Sequence, residues 1–418
     1  MKKHTLLLPL LTAASFSHAG EIAPEEVINN PDSFKAITPI LDIRARYEFR
    51  AQENLDESNS LTTRARFGLK TANFSGFSAL VEGEGTLDLV DDFNSNPAGS
   101  NTTSPNVSGN TVIADPNNIE LNRAWVQYEN SGFHAKVGRQ RIIRNNAAFI
   151  GNVGWRQNEQ TFDAIELGYK NDDFSFSYAY SDRAQRIFGD DANDADFSGD
   201  GPPLRDFEGD FHLIDASYKL NEATLGGYVY LIDVDNNNNV GESNTVGAFY
   251  KNKGLHAEFA YQDGESALFN GGDYDALYGH VKYTHKVGKS SFIAGAEYLE
   301  EGFKTPFATV HAFNGWADAF VLQRIGLSNS GGEFEGLTDL YVGYNRTGIL
   351  GNMTFKSAIH YFLDDSLSEA YGYEFNAVLI KPINENLKAV LKAAYFRADD
   401  EGPFNDIRQV TMDLNYSF

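Results

Sequence analysis

From Ile40 to Phe418 the chain is written as short segments in which apolar and polar residues alternate. The last of them, Gln409-Val410-Thr411-Met412-Asp413-Leu414-Asn415-Tyr416-Ser417-Phe418, puts an apolar residue at every even position and a polar one at every odd position. A period of two sends each set to its own face of a strand, whereas a helix would need apolar residues three and four apart. Eighteen such segments can be read, the first about 40–50 and the last 408–418. The connections 90–118, 142–160, 184–209 and 301–336 are long, while Asn130-Ser131-Gly132, Asn171-Asp172-Asp173, Asn221-Glu222 and Gly288-Lys289-Ser290 are tight polar turns. Long connections on one side and short turns on the other are the pattern of an all-β, transmembrane antiparallel β-barrel whose last strand closes the wall. A soluble sandwich or β-helix accommodates the alternation but not this asymmetry together with the terminal Phe418.

The N-terminus agrees. Lys2 and Lys3 precede the apolar run Leu6 to Leu11, and Ser17-His18-Ala19 supplies the small residues a signal peptidase reads. That run is too short to span a bilayer. The expected organisation is a signal peptide at 1–19, a periplasmic segment at 20–39 and a barrel at 40–418. With eighteen strands both barrel ends face the periplasm, short turns and long loops lying on the periplasmic and outer sides respectively.

Composition narrows the function classes. The mean hydropathy is negative with 42% hydrophobic residues, as a barrel allows because only alternate residues meet lipid. Cysteine is absent, which removes disulfides, thiol catalysis and thiolate metal sites. A net charge of −24 argues against nucleic acid. The expected partners are outer-membrane lipid and lipopolysaccharide, and the barrel-assembly machinery through the strand ending in Phe418. No Gly-x-Ser-x-Gly, His-Glu-x-x-His or phosphate-cradling glycine loop occurs, so no catalytic residue, cofactor or metal is expected. His256, His280 and His360 read as single polar wall positions. The acidic run 190–200 has the alternating oxygens of a calcium loop, but Arg205 stands where its bidentate glutamate belongs; it reads as a solvated loop.

If Leu41, Ile43, Ala45, Tyr47 and Phe49 face lipid, then Asp42, Arg44, Arg46, Glu48 and Arg50 face the lumen. The next strand puts Arg64, Arg66 and Lys70 inward, the third Glu82, Glu84 and Asp88, the fourth Arg123 and Gln127, the fifth Lys136. Arg139 and Arg141 fall on the lipid parity, unless Gly138 makes a bulge or they rise above the membrane. Two readings compete. A tight turn near Asn73 would set Arg66 against Glu82 and Arg64 against Glu84, making the charges wall chemistry. Alternatively the arginines outnumber the counter-charges Glu82 and Glu84 and form a ladder for anions, since guanidinium grips carboxylates with two hydrogen bonds and stays charged.

The motifs Asn122-Arg123-Ala124-Trp125, Val137-Gly138-Arg139-Gln140, Trp155-Arg156-Gln157-Asn158 and Thr161-Phe162-Asp163 resemble the alginate export family of outer-membrane porins, as do the paired Arg-Ala-Arg strands at 44–46 and 64–66. Thr305 to Asp318 is similar to a loop of its marine members. The resemblance implies an eighteen-stranded barrel with an arginine-lined path for an anionic polysaccharide, and on that basis Arg44, Arg64, Arg66, Arg123, Arg139 and Arg156 line it. The family's long periplasmic turn has no counterpart among the short turns here, which favours passive passage of anionic oligosaccharides over export coupled to synthesis. The runner-up is a porin selective for small organic or inorganic anions.

The mature protein should begin at Gly20 and run as a heat-modifiable band, because a closed barrel in lipid unfolds slowly. Intact mass and boiled-versus-unboiled gels measure this; retained residues 1–19, or a soluble periplasmic product, would refute it.

Overall fold

The computed structural model describes residues 37–96, 103–190, 192, 205–269 and 272–418. The expected signal peptide, most of segment 20–39 and nearly all of the acidic run 190–200 lie outside the described residues.

Eighteen antiparallel strands form one sheet. They are β1 (Ile37–Gln52), β2 (Ser58–Thr71), β3 (Phe77–Asp92), β4 (Asn118–Asn130), β5 (Phe133–Gln140) and β6 (Thr161–Lys170). There follow β7 (Phe174–Gln185), β8 (Asp206–Leu220), β9 (Ala223–Val234), β10 (Glu242–Asn252), β11 (Leu255–Glu265) and β12 (Asp273–Val287). The last six are β13 (Ser290–Leu299), β14 (Leu337–Ile349), β15 (Met353–Leu363), β16 (Ala370–Pro382), β17 (Leu387–Ala398) and β18 (Ile407–Ser417). Each pairs with its neighbours in sequence, and β1 pairs with both β2 and β18. The sheet therefore closes, with Arg46 opposite Asp413 and Arg44 opposite Asn415 across the seam.

Closure follows from the alternation. Odd positions of β1 and even positions of β18 are the more exposed set, and the intervening residues are largely buried. Phe67, Val81, Ile119, Val137, Ile165, Val246, Phe259, Val281, Val342 and Ile359 are all at least half exposed, forming the apolar outer band that lipid covers. Phe74, Phe77, Phe133, Tyr169, Phe174 and Tyr218 are exposed beside the short turns, where an aromatic girdle meets the interface. Among the described residues no helix is long and apolar enough to cross a membrane; the strands cross.

The tight turns obey local chemistry. Between β4 and β5, Ser131 and Gly132 both have positive φ (50° and 86°), the signature of a two-residue type I′ hairpin. A Cβ at Gly132 would sit 2.2 Å from the Lys170 carbonyl oxygen, so only glycine fits. The β2–β3 turn departs from expectation. Its register sets Arg66 opposite Glu84 and Gly68 opposite Glu82, because Phe74 and Phe77 bridge to each other and centre the turn on Ser75-Gly76, beyond Asn73. The expected Arg66–Glu82 and Arg64–Glu84 pairing is thereby displaced by two residues.

The long connections depart further. Segments 141–160 and 300–324 do not stand clear of the barrel; their buried side chains pack against inward-facing wall residues. Phe149 meets Tyr228 and Tyr278 at ring-centroid distances of 5.2 and 5.0 Å. Phe307 meets Phe162 and Phe211 at 5.3 and 4.8 Å, and Phe320 meets Phe362 and Phe396 at 4.8 and 5.7 Å. Three loop aromatics thus seat the plug on three stretches of wall. The segments also bind each other, Gly151 N–H donating to Phe307 O at 2.8 Å and Thr309 N–H to Ala147 O at 3.0 Å. At about 1.5–3 kcal/mol for each fully buried large apolar side chain, these anchors outweigh any surface ion pair.

Strand parity places the 399–406 connection outside and the 288–289 turn in the periplasm. In this cysteine-free chain, Glu401→Cys should react with an impermeant maleimide on intact cells and Lys289→Cys should not. The opposite pattern would show the barrel inverted.

Candidate functional site in the barrel lumen

The inner wall of β1–β4 and β18 carries the arginines singled out from the sequence, and the structure shows what each one does. Arg46 binds Asp413 at 2.6 Å, lies 3.7 Å from Asp115 and covers the Trp155 ring at 4.1 Å. Arg64 pairs with Asp42, and Arg66 with Glu84 and, at 3.5 Å, Glu159. Arg156, on the plug, reaches Glu48 at 3.3 Å, Asp318 at 3.6 Å and Asp115 at 3.7 Å. Arg44 and Arg50 instead meet neutral oxygens. The Arg44 fork donates to the Asn415 side chain and to the carbonyls of Gly154, Trp155 and Arg156 at 3.0–3.2 Å. Arg50 donates to Gln409 at 2.6 Å and Ala317 O at 2.8 Å.

β4 brings its charge inward through a bulge. Glu82 pairs with Arg123 and Gly83 with Leu121, leaving Asn122 as the extra residue. Asn122 and Arg123 both reach Glu82, Arg123 through two 2.8 Å bonds and Asn122 through one. Asn122 also donates to Glu159 at 2.8 Å. Glu82 and Glu84 are indeed partners of arginines, each already engaged.

The expected uncompensated surplus on the first strands is therefore absent. Arg44, Arg46, Arg50, Arg64, Arg66 and Arg156 are all at most 7% exposed. They fasten residues 154–160 and 317–318 to the wall rather than facing open water. Arg139 is a second correction: it pairs across with Ala124 and Asp163, on the opposite parity from inward Lys136. It binds Asp163 with bonds of 2.8 and 2.9 Å on the outward face. Alternation decides its side, and the family resemblance does not override it.

Sequence reasoning missed most of the basic residues that line the half of the lumen nearer the short turns. Lys70, Lys136, Lys251, Lys282, Lys356 and Lys388 occupy inward positions in the strand halves nearer the short turns, and all are partly exposed. Lys136 lies 4.0 Å from Glu166. Among the described residues, Lys70, Lys251, Lys282 and Lys388 have no carboxylate within ion-pair distance. Inward parity alone would have found them had it been followed past β5.

A cationic aromatic stack joins plug and wall. His311 lies flat on Trp155, with centroids 3.8 Å apart and planes at 3°. Lys392 of β17 sits 3.3 Å from the Trp155 centroid and 4.8 Å from that of Trp316. His311 Nδ1 meets Asp318 at 2.9 Å, while its Nε2 faces Lys392. The Asp318 carboxylate can only accept, so Nδ1 carries the proton and, in the neutral ring, Nε2 is the acceptor. Burial, helped by Lys392 and opposed by Asp318, pushes His311 down to about 3. On the adjacent strand β16, Glu374 accepts the backbone N–H groups of Trp316 and Ala317. This contact needs Gly315, whose φ is +85° and whose Cβ would lie 2.2 Å from the Glu374 carboxylate.

An eighteen-stranded antiparallel barrel with an apolar outer band, one rim of short turns and a polar lumen constricted by inserted loops defines an outer-membrane porin. Over residues 39–195 the chain matches the alginate export family, the family its motifs resemble. Among solved structures it is similar to Pseudomonas aeruginosa OccK9 (OpdG), at 13% identity over 92% of this chain and 100% of that one, with a TM-score of 0.66. Acinetobacter baumannii OccAB4 shares 15% identity over 93% and 100% of the two chains (TM-score 0.66). Pseudomonas aeruginosa OpdK, solved with vanillate, shares 12% over 91% and 98% (TM-score 0.63). At these identities the likeness is one of fold. No curated protein matches the chain by sequence.

Acid should loosen the plug, and the sign follows from His311. Its value in the fold lies far below the ordinary 6.5, so the fold favours the neutral ring. That stabilisation is complete above pH 6.5 and is lost as pH falls toward 3. Asp318, held down to about 2 by His311 and Arg156 against its burial, adds a further loss between about 3.8 and 2. Trp155 and Trp316 are two of only three tryptophans, so a fluorescence titration reads the plug. His311→Gln should remove the part of the transition between pH 6.5 and 3; an unchanged titration would refute the assignment.

Proposed function

We propose that this porin passes anionic solutes passively, with carboxylate-bearing small molecules and short uronate oligomers, alginate fragments among them, as its solute class. The observation carrying this reading is the set of inward, partly exposed lysines in the lumen half beyond the plug, four of them without a carboxylate partner among the described residues. Ammonium groups confined in a lumen with low-dielectric walls attract anions and repel cations. Lysine suits traffic better than arginine here, since a flexible point charge makes weaker, less directional contacts than a two-pronged fork. A path must bind well enough to admit and weakly enough to release.

A second reading, passage of a long anionic polysaccharide, is favoured by the match to the alginate export family over residues 39–195. It requires the segments around Phe149, Phe307 and Phe320 to leave the lumen, against several buried aromatic anchors. Small carboxylates fit the filled lumen better, and vanillate, with which OpdK was solved, is such a compound.

Reversal potentials across a planar bilayer in a salt gradient should show anion preference. The Lys70→Gln, Lys282→Gln and Lys388→Gln triple variant should lose most of it, while Arg64→Gln should chiefly destabilise the plug. Liposome swelling should be faster with monomeric uronate than with long oligomers. Cation selectivity in the wild type would overturn the proposal, and swelling independent of uronate chain length would favour the polysaccharide reading.

A further inference from the structure

His256 and Glu258 stand two apart on β11, so both side chains enter the lumen. His280 lies directly opposite Glu258 in the β11–β12 register, and the two imidazole centroids are 5.4 Å apart. One ligand atom from each of the three residues falls within 4.8 Å of the others. All three are buried, at 6%, 5% and 3% exposure for His256, Glu258 and His280. The expectation of single wall histidines thus fails for His256 and His280. From this geometry we propose that His256, Glu258 and His280 form a binding site for a first-row transition-metal cation of the Zn²⁺ class on the inner wall of the barrel.

The donor set fixes the class of ion. Two imidazoles and one carboxylate suit zinc and its neighbours, whereas calcium and magnesium take all-oxygen sets. Two ligands from alternate positions of one strand and a third from the adjacent strand form a tripod that leaves the fourth tetrahedral position open. Metal bonds near 2.1 Å hold tetrahedral ligand atoms about 3.4 Å apart. The His256 Nε2–Glu258 Oε2 separation of 3.0 Å is already close to that, and the His280 ligand atom lies within 4.8 Å of both, so that a shift of up to about 1.4 Å completes the set.

An orphaned atom supports the site independently. His280 Nδ1 is buried without a hydrogen-bond partner, while its Nε2 lies 2.8 Å from the Tyr341 hydroxyl. With the proton on Nε2 donated to that oxygen, Nδ1 presents a bare lone pair to the cluster. A buried, unsatisfied polar atom is costly, and a metal ion satisfies it. Glu258 is oriented in the same manner, its Oε1 accepting the Tyr228 hydroxyl at 2.8 Å. Outer partners of this kind fix the ligating atom of each side chain.

Lys251 and Lys282 both lie opposite His256 on the neighbouring strands, and their repulsion of a cation is opposed by Glu258, while Glu297, which faces His280, is already paired with Arg324 at 2.9 Å. A cavity of about 50 Å³ lined by His280, Lys282, Glu297 and Tyr341 adjoins the tripod, leaving space for a water or an anionic oxygen at the open position. The site does not depend on which anion the porin passes.

The test uses the full barrel folded in detergent without a histidine tag. Zn²⁺ titrated calorimetrically against a competing chelator should bind at one ion per chain. Glu258→Gln and His280→Gln should each weaken it at least about tenfold, with heat-modifiable migration confirming that they fold. His212→Gln, at an outward position of β8, should bind as the wild type does. Co²⁺ bound to the wild type should give the intense visible bands of a tetrahedral site, a readout that needs no variant. Zn²⁺ uptake equal in the wild type and the His256→Gln, Glu258→Gln, His280→Gln triple variant would overturn the proposal, as would Co²⁺ bands of octahedral intensity.

Discussion

Hydrocarbon offers no hydrogen bonds, so every N–H and C=O of a segment crossing it must find a partner within the protein. For strands this demand has one solution, closure, and the β1–β18 seam supplies it. The consequences run through the molecule. Closure sorts each strand into a lipid face and a lumen face and removes the exposed edges that would template aggregation. It also forces polar and charged residues together inside. The seam itself is made by residues of the lumen network, with Arg46 against Asp413 and Arg44 against Asn415, so wall and interior chemistry are one construction.

Within that interior, buried charge is used for position more than for stability. A buried ion pair gains little net energy over an apolar pair of the same shape, yet removing one partner costs about 3–5 kcal/mol. Such a network therefore selects one arrangement of the plug without holding it down. The holding falls to Phe149, Phe307 and Phe320 on the far walls, and the locating to Arg44, Arg50, Arg156 and Glu159. Glu159 shows the scheme: fully buried, it accepts bonds from Asn122, Arg141 and Asn152, tying plug to strand on one side and plug to itself on the other.

The sequence made legible whatever depends on a period of two. All eighteen expected segments fall on strands, and the inward faces of β1–β3 are those the alternation assigns. Residues that depend on anything else were harder to place. Arg66 found Glu84 because a bridge at Phe74–Phe77 moved a turn to Ser75-Gly76. The inward fold of 141–160 and 300–324 left no periodic trace, since irregular backbone has no face to alternate. The meeting of Glu258 with His280 requires the β11–β12 register, which alternation along a single strand does not reveal. Arg139 shows the reverse case, in which parity was right and analogy misled.

On the proposed reading, a porin with a net charge of −24 passes anions without contradiction, because of a length scale. Exposed charges farther apart than about 8 Å in physiological salt scarcely feel one another. Asp400 and Glu222 lie at rims where ions screen them, with side chains 87% and 68% exposed. The inward lysines sit behind a protein wall and beside lipid, where screening is weaker and fields are focused. The carboxylates that do share the lumen, such as Glu48, Glu84, Glu159 and Asp413, are engaged by arginines. Pairing thus takes buried negative charge out of the solute's path; on the proposed reading this leaves lysine to set the sign, and the arginines serve permeation by neutralising what would otherwise oppose it.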